Sequence, residues 1–257
     1  MSRAATAAKG GHAATSAPPR RASSGYFEQS ELPLSSLVFL LPLIALYEVG
    51  TAVLLRDAHG GTQHIIAFNL LQQFFHMMGA TGRHLPALAV VGILLAWHIA
   101  RNDAWVLYPR TYLGMAAESL ALAVPLLIMG FVVVRYLQHL HLAGGIPIGR
   151  TGGMIVLSIG AGIYEELVFR LVAFTFLSFV LRDLFQLPNV LSGLLIVLVS
   201  ALAFSAYHYL GNEQFDLPTF AFRTIAGVYF GGMFLARGFG VTAGSHAAYD
   251  ILVTLLR

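Results

Sequence analysis

Two adjacent glutamates and an arginine, Glu165, Glu166 and Arg170, lie within a long apolar stretch of the sequence. A charged side chain at the centre of a bilayer costs roughly 2.5–3.5 kcal/mol on insertion scales, so charges kept in such a stretch are expected to have a use. On a helix, Glu166 and Arg170 are four residues apart and share a face, where they can pair. Glu165 is turned by about 100° from Glu166. The sequence therefore predicts one glutamate paired with the arginine and the other facing a cavity.

Two later apolar stretches carry His208 and the pair His246 and Asp250. Because His246 and Asp250 are four residues apart, the carboxylate can orient the imidazole on a helix. Taken singly, each group has a structural explanation: a hydrogen-bonded packing histidine, or a Glu–Arg pair that only stabilises the structure. Taken together, on segments otherwise nearly free of charge, they predict one shared polar site.

Carboxylates and imidazoles in one site can activate a water molecule, either as general bases or by holding a metal ion. Two histidines and one glutamate form a familiar catalytic zinc set, so Glu165, His208 and His246 are the candidate metal ligands. The signatures His-Glu-x-x-His and Gly-x-Ser-x-Gly are absent from the sequence. The residues leave open whether zinc takes part or glutamate alone activates the water.

The composition is that of a protein with several membrane-spanning helices. Of 257 residues, 57% are hydrophobic and only 11% are charged. The sequence has no cysteine, which excludes disulfides, thiolate metal sites and a cysteine nucleophile. The formal net charge is +3, and the basic residues form no stripe of the kind that nucleic-acid binding needs. We therefore expect an all-α polytopic transmembrane bundle with no nucleic-acid partner.

The pattern of apolar runs divides the chain into three parts. Residues 1–30 are rich in Ala, Ser, Gly, Pro and Arg and are predicted to be a disordered basic tail. Residues 31–150 are predicted to form N-terminal transmembrane helices, and residues 151–257 a catalytic transmembrane core. About six to eight membrane segments are expected, at approximately 37–55, 85–100, 113–134, 154–185, 190–210, 220–236 and 241–256.

The two histidines are predicted to lie at different depths in the membrane, which conflicts with a shared site. If the last spans alternate simply, His208 ends one helix near one membrane face and His246 begins another near the opposite face. A shared site then needs tilted, short or re-entrant segments, or a water-filled cavity. The distribution of arginines favours a cytoplasmic N-terminus. A high Ala, Gly and Arg content with a single lysine indicates a bacterial genome, and hence the inner membrane.

Three motifs in order, Glu165-Glu166-x-x-x-Arg170, Phe204-x-x-x-His208 and His246-x-x-x-Asp250, resemble the motif series of the CPBP family. That family comprises CAAX prenyl endopeptidases of type II and bacteriocin-processing (Abi) proteins, which are intramembrane proteases. The resemblance covers about the last 110 residues. It implies that Glu165 is the base that activates water and that His208 helps to hold this water.

The resemblance also implies that Glu166 and Arg170 are a supporting pair, and that His246 and position 250 stabilise an oxyanion or complete a metal site. The family often has Asn where this chain has Asp250. An amide can donate to an oxyanion, whereas an ionised carboxylate cannot. Asp250 is therefore expected to orient His246, to serve as a metal-site carboxylate, or to donate only when protonated.

These observations predict an intramembrane endopeptidase, a hydrolase with zinc as its candidate cofactor. Its expected substrate is a membrane-associated protein or peptide. A non-catalytic bacteriocin-immunity or binding protein of the same fold is a second hypothesis. A transporter, in which the buried carboxylates and histidines carry protons or a cation, is a third.

Overall fold

The structure, a computed structural model, describes residues 25–56, 61–139, 151–211 and 213–256, and of residues 134–139 it describes the backbone only. The described residues form no β-strand, only an isolated bridge between Arg56 and Thr62, which confirms the all-α fold.

The helices are α1 Tyr26–Ser30, α2 Pro33–Leu54, α3 Ile66–Met77, α4 Leu85–Arg101, α5 Pro109–His139, α6 Thr151–Gly160, α7 Ala173–Ser178, α8 Asn189–Tyr207 and α9 Leu217–Leu256. The π-helical turns Ala161–Glu165, Leu167–Val172 and Phe179–Leu184 continue the run from α6 to residue 184, and a 3-10 turn, His208–Leu210, follows α8.

In the described part of the chain, four helices are long and apolar enough to cross a membrane: Pro33–Leu54, Pro109–Val133, Asn189–Leu210 and Leu217–Leu256. The helix Leu85–Arg101 is apolar but shorter. The helical run over 151–184 and a kink that divides the last helix account for the other predicted segments. Within the described residues, the helices thus agree with the expected six to eight membrane segments.

The kink in α9 lies at Gly238, whose φ of 72° falls in the left-handed region that favours glycine. Just before it, Arg237 donates to Glu118 of α5 at 2.6 Å, to Glu31 at 3.0 Å and to the hydroxyl of Ser30 at 2.7 Å. The kink is therefore fixed where α1, α5 and α9 meet. It turns the chain back, so that the last 18 residues of α9 form a second arm, 239–256.

Two glycines allow the helices that carry the predicted site residues to approach closely. A Cβ on Gly162, in the first π-helical turn, would lie 2.6 Å from the carbonyl oxygen of Ala243 on α9. A Cβ on Gly227 of α9 would lie 2.9 Å from Ala201 of α8. The small residue at Gly227 thus permits the close helix contact that its spacing to Gly231 indicates.

The tail predicted for residues 1–30 is corrected at its end. Tyr26–Ser30 is helical, and Ser30 is buried because it packs under the side chain of Arg237. The tyrosine hydroxyl of Tyr26 donates to Glu118 at 2.5 Å, which holds α1 against α5. Residues 1–24 lie outside the described ranges.

Candidate active site

Glu166 and Arg170 form the predicted pair, and both side chains are fully buried. Nε of Arg170 lies 3.0 Å from Oε2 of Glu166. The guanidinium also donates through Nη2 to the carbonyl oxygen of Gly227 at 3.1 Å and lies over the ring of Phe204, 4.7 Å from its centroid. This buried charge is therefore compensated by a carboxylate, a backbone acceptor and an aromatic face.

The second oxygen of Glu166 holds His246. Nδ1 of His246 lies 2.7 Å from Oε1 of Glu166, and the imidazole stacks on Phe230 with a centroid distance of 4.5 Å. Nε2 lies 3.6 Å from Asp250 Oδ2, which is beyond hydrogen-bond distance. Glu166 makes the hydrogen bond to the imidazole, and the orientation of this ring by Asp250 stays a prediction.

Glu165 points away from the Glu166–Arg170 pair, as its position on the helix predicts. Its Oε1 accepts a hydrogen bond from the hydroxyl of Tyr207, and its Oε2 lies 3.7 Å from Nε2 of His246. The residue is 5% exposed and borders a cavity, whereas Glu166 is fully enclosed. The two neighbouring carboxylates therefore occupy different environments.

His208 follows α8 directly, in the 3-10 turn, and its ring packs edge-on against Phe204 and Tyr207. Its Nδ1 lies 2.8 Å from the carbonyl oxygen of Phe204. A carbonyl only accepts, so we assign the proton to Nδ1, which leaves Nε2 of a neutral ring as an acceptor.

The kink at Gly238 explains how His208 and His246 can lie at similar depths in the membrane. His246 lies eight residues beyond this glycine, roughly 12 Å along the second arm of α9, rather than at the start of a span. The ring of Phe204 contacts both imidazoles, with centroid distances of 5.0 Å to His208 and 5.8 Å to His246. Both histidines thus border one cavity.

This cavity has a volume of about 480 Å³. Its polar side is formed by Glu165, His208, His246 and Asp250, together with Thr219 and Arg223 of α9. The remainder of the lining is mostly apolar and consists of Leu127, Gly130, Phe131, Val133, Phe204, Phe222, Ala226, Phe230, Tyr249, Val253 and Leu256. A cavity with an apolar wall and a few convergent polar groups is typical of a binding or catalytic site.

Sequence analysis did not identify two residues that belong to this site. Tyr207 holds Glu165, and its position next to His208 in the second motif is the signal that could have indicated it. Arg223 borders the cavity, and a charged residue within an apolar helix is likewise a recognisable signal. The membrane glutamates Glu48 and Glu118 lie elsewhere, where they contact His84 at 2.6 Å and Arg237 at 2.6 Å.

Among the described residues, no three His, Cys, Asp or Glu side chains lie close enough together to hold a metal ion. The candidate ligands Glu165, His208 and His246 do border one cavity, but their arrangement does not fit a three-ligand zinc site.

Residues 147–252 match the family model described as type II CAAX prenyl endopeptidase Rce1-like. The match confirms the resemblance that the three motifs indicated. It spans the C-terminal part of the chain, from before α6 to the second arm of α9, and contains every predicted site residue. The segment is therefore similar to a family of intramembrane CAAX-type endopeptidases, which are hydrolases. No curated protein and no solved structure matches the chain.

Proposed function

We propose that this protein is an intramembrane endopeptidase that hydrolyses a peptide bond of a membrane-associated protein or peptide by means of a water activated by Glu165 and His208. The observation that carries the proposal is that the two adjacent glutamates have different surroundings. Glu166 is enclosed with Arg170 and His246, whereas Glu165 borders the cavity and retains an oxygen 3.7 Å from His246. A buried carboxylate that faces a cavity is suited to accept a proton.

In the proposed reaction, a water molecule donates hydrogen bonds to Glu165 and to Nε2 of His208. Glu165 takes a proton from this water as the water oxygen attacks the carbonyl carbon of the substrate. The same carboxyl then delivers the proton to the amine nitrogen as the peptide bond breaks. Tyr207 does not contact the water in this scheme; it keeps the carboxylate of Glu165 in place.

His246 is assigned to the developing oxyanion. With Nδ1 donating to Glu166, a protonated ring presents Nε2–H to the cavity, where it can donate to the carbonyl oxygen. The carboxylates of Glu166, Glu165 and Asp250 surround this imidazole within 2.7–3.7 Å and compensate its positive charge. In this scheme, Asp250 contributes negative charge beside the imidazole. The hydrogen bond to the oxyanion, which an Asn at position 250 could donate, is donated by His246 instead.

The active-site glutamate is tested by Glu165→Gln, which keeps the shape of the side chain but removes the base. Purified protein in lipid nanodiscs is incubated with a defined library of apolar synthetic peptides, and the products are identified by mass spectrometry. Glu165→Gln is expected to lower kcat by roughly 10²- to 10⁴-fold. Glu48→Gln, which replaces a membrane carboxylate outside the cavity, is the matched control and should cleave as the wild type does.

The same experiment separates the alternative functions. A protein that binds the library peptides but releases no product would favour the immunity or binding protein of the same fold. A protein that neither binds nor cleaves, but carries protons or cations into liposomes, would favour the transporter. Equal cleavage by the wild type and Glu165→Gln would overturn the proposed mechanism.

Zinc remains a separate proposal, and a bound zinc would supply a second means of activating water. His208, His246 and Glu165 would have to move closer together to hold it. The measurement is the metal content of the purified protein and of His208→Ala and His246→Ala. Near-stoichiometric zinc that both variants lose would establish a shared site, whereas metal that is absent or unaffected by either change would exclude it.

We also propose that the protein lies in a bacterial inner membrane with its N-terminus in the cytoplasm. Arg101 and Arg110 flank the connection between α4 and α5, and Arg237 ties α1 to the kink in α9. These basic residues accumulate at the end of the bundle that holds α1, as the positive-inside rule requires of a cytoplasmic end. Reporter fusions at residue 1 and in the loop after α8 test this orientation.

A further inference from the structure

Arg223 is the cationic side chain of the cavity that the proposed reaction does not use. It lies in the second turn of α9, and its side chain is 22% exposed. Thr219, Phe222 and Ala226 also face the cavity, in agreement with helical spacings of three and four residues. The same face continues to Phe230, which stacks on His246. Arg223 therefore lines the same cavity as the proposed reacting groups.

The guanidinium of Arg223 is already paired with a carboxylate, that of Glu213. Nη1 and Nη2 donate to Oε1 and Oε2 of Glu213 at 2.8 and 3.0 Å, the bidentate geometry that arginine forms with carboxylates. Glu213 belongs to the short connection between α8 and α9, and its side chain is 42% exposed. Exposed ion pairs of this kind contribute little to stability, so a second carboxylate can take the place of Glu213.

The other charged groups of the described cavity indicate what can bind at this end. Glu165 and Asp250 are acidic and would repel a ligand carboxylate. The positive charge assigned to His246 is compensated by Glu166, Glu165 and Asp250, and the buried Arg170 is enclosed with Glu166. An anion that enters the cavity is consequently attracted to the end at which Arg223 lies. The apolar wall formed by α5 and α9 suits the uncharged part of the same ligand.

We propose that Arg223 is the residue that binds a carboxylate of the substrate, and that Glu213 occupies this position until the substrate replaces it. The carboxylate comes from an acidic side chain or from a chain end, and the guanidinium recognises either in the same way. This inference rests on the proposed peptidase function, because it supplies the substrate specificity of that cavity. Arg223 is a binding residue here and takes no part in proton transfer.

A purely structural role predicts a different outcome from the same variants. If the ion pair only ties the connection to α9, Glu213→Gln and Arg223→Gln should weaken every ligand alike. If Glu213 competes with the substrate, its removal should strengthen the binding of carboxylate ligands, whereas removal of Arg223 should weaken it. The opposite signs of the two effects distinguish competition from structural support.

The experiment measures peptide binding in the Glu165→Gln background, so that turnover does not affect the result. The probes are fluorescent apolar peptides of equal length: one with a free C-terminal carboxylate, one with a C-terminal amide, and an amidated pair with Glu or Gln at an internal position. Fluorescence anisotropy in nanodiscs at fixed ionic strength gives each Kd. Arg182→Gln, an arginine outside the cavity lining, is the matched control.

At least one carboxylate peptide is expected to bind about tenfold more tightly than its neutral partner, which corresponds to 1.4 kcal/mol. Arg223→Gln should abolish that preference, and Glu213→Gln should increase it while the neutral peptides are unaffected. The pair that shows the preference identifies the source of the carboxylate. Equal binding of charged and neutral peptides, including no binding of either, would overturn the proposal, as would parallel losses in both variants.

Cleavage by the protein with an intact Glu165 keeps the two proposals distinguishable. If it cleaves charged and neutral peptides equally well, the carboxylate site is wrong and the peptidase stands. If the charge preference in binding is observed but no peptide is cleaved, Arg223 binds carboxylates and the peptidase function is wrong.

Discussion

Nδ1 of His246 lies 2.7 Å from Oε1 of Glu166, although 80 residues separate them in the sequence. The other oxygen of the same carboxylate lies 3.0 Å from Nε of Arg170. Glu166 thus joins an arginine on its own helical segment to a histidine on the second arm of α9. All three side chains are buried, and this one carboxylate links His246 to Arg170.

We expect Glu166→Gln to destabilise the protein by about 3–5 kcal/mol, the usual cost of removing one partner from a buried ion pair. The amide leaves Arg170 without its counter-charge and weakens the hold on His246. Thermal unfolding in nanodiscs measures the change. Asp250→Asn is the control, since Asp250 lies 3.6 Å from the imidazole and is partly exposed. An equal loss in both variants would contradict the structural role given to Glu166.

Tyr207→Phe is expected to lower kcat by roughly ten- to a hundredfold, because a hydrogen bond to a charged group is worth about 1.5–3 kcal/mol. The phenyl ring keeps its packing against Phe169, at a centroid distance of 5.0 Å, so KM and folding should not change. Tyr229→Phe is the matched control, since that hydroxyl donates to the carbonyl of Leu122, outside the cavity lining. A change confined to KM would mean that Tyr207 does not position Glu165.

The contacts that could be predicted from sequence are those set by local geometry. The spacing of Glu166 and Arg170 places them on one helix face, and the adjacent Glu165 must then point elsewhere. Although the segment contains π-helical turns, both expectations agree with the structure. The all-α fold and most helix positions likewise follow from apolar runs that are long enough to span a membrane.

Contacts between distant helices could not be predicted in the same way. The spacing of His246 and Asp250 suggested a carboxylate on the same helix as the partner of the imidazole, but the packing of α9 against the first π-helical turn brings Glu166 closer. The apparent conflict of depth between His208 and His246 depends on the positive φ of Gly238. A single glycine in an apolar run gives no sequence signal that distinguishes a kink from a straight span.

Gly162→Ala is expected to cost about 1–3 kcal/mol by overpacking and to lower activity. The added Cβ would lie 2.6 Å from both the carbonyl oxygen of Ala243 and the backbone nitrogen of Ala247, so the π-helical turn must move away from α9. That movement would lengthen the contact between Glu166 and His246. The control is Gly92→Ala on α4, where a Cβ meets nothing within 4 Å. Thermal unfolding and peptide cleavage are measured for both variants, and we expect no loss for Gly92→Ala.

Asp216 caps the first turn of α9, the turn that precedes Arg223. Its Oδ2 accepts hydrogen bonds from the backbone nitrogen of Thr219 at 2.9 Å and from the Thr219 hydroxyl at 2.5 Å. These bonds hold the pKa of the Asp216 carboxyl below its usual value. We expect Asp216→Ala to cost about 1 kcal/mol at neutral pH, the typical value of an N-cap.

The pH dependence of that difference follows from the direction of the shift. Because the pKa of Asp216 is lower in the folded than in the unfolded protein, its contribution is fully present above the unfolded value of about 3.9 and is lost as pH falls through the folded value. The unfolding free energies of the wild type and Asp216→Ala should therefore converge in acid. Denaturant titrations at pH 7 and at successively lower pH test this. A gap that stays constant down to the lowest accessible pH would show that the ionised carboxylate does not stabilise the turn that positions Arg223.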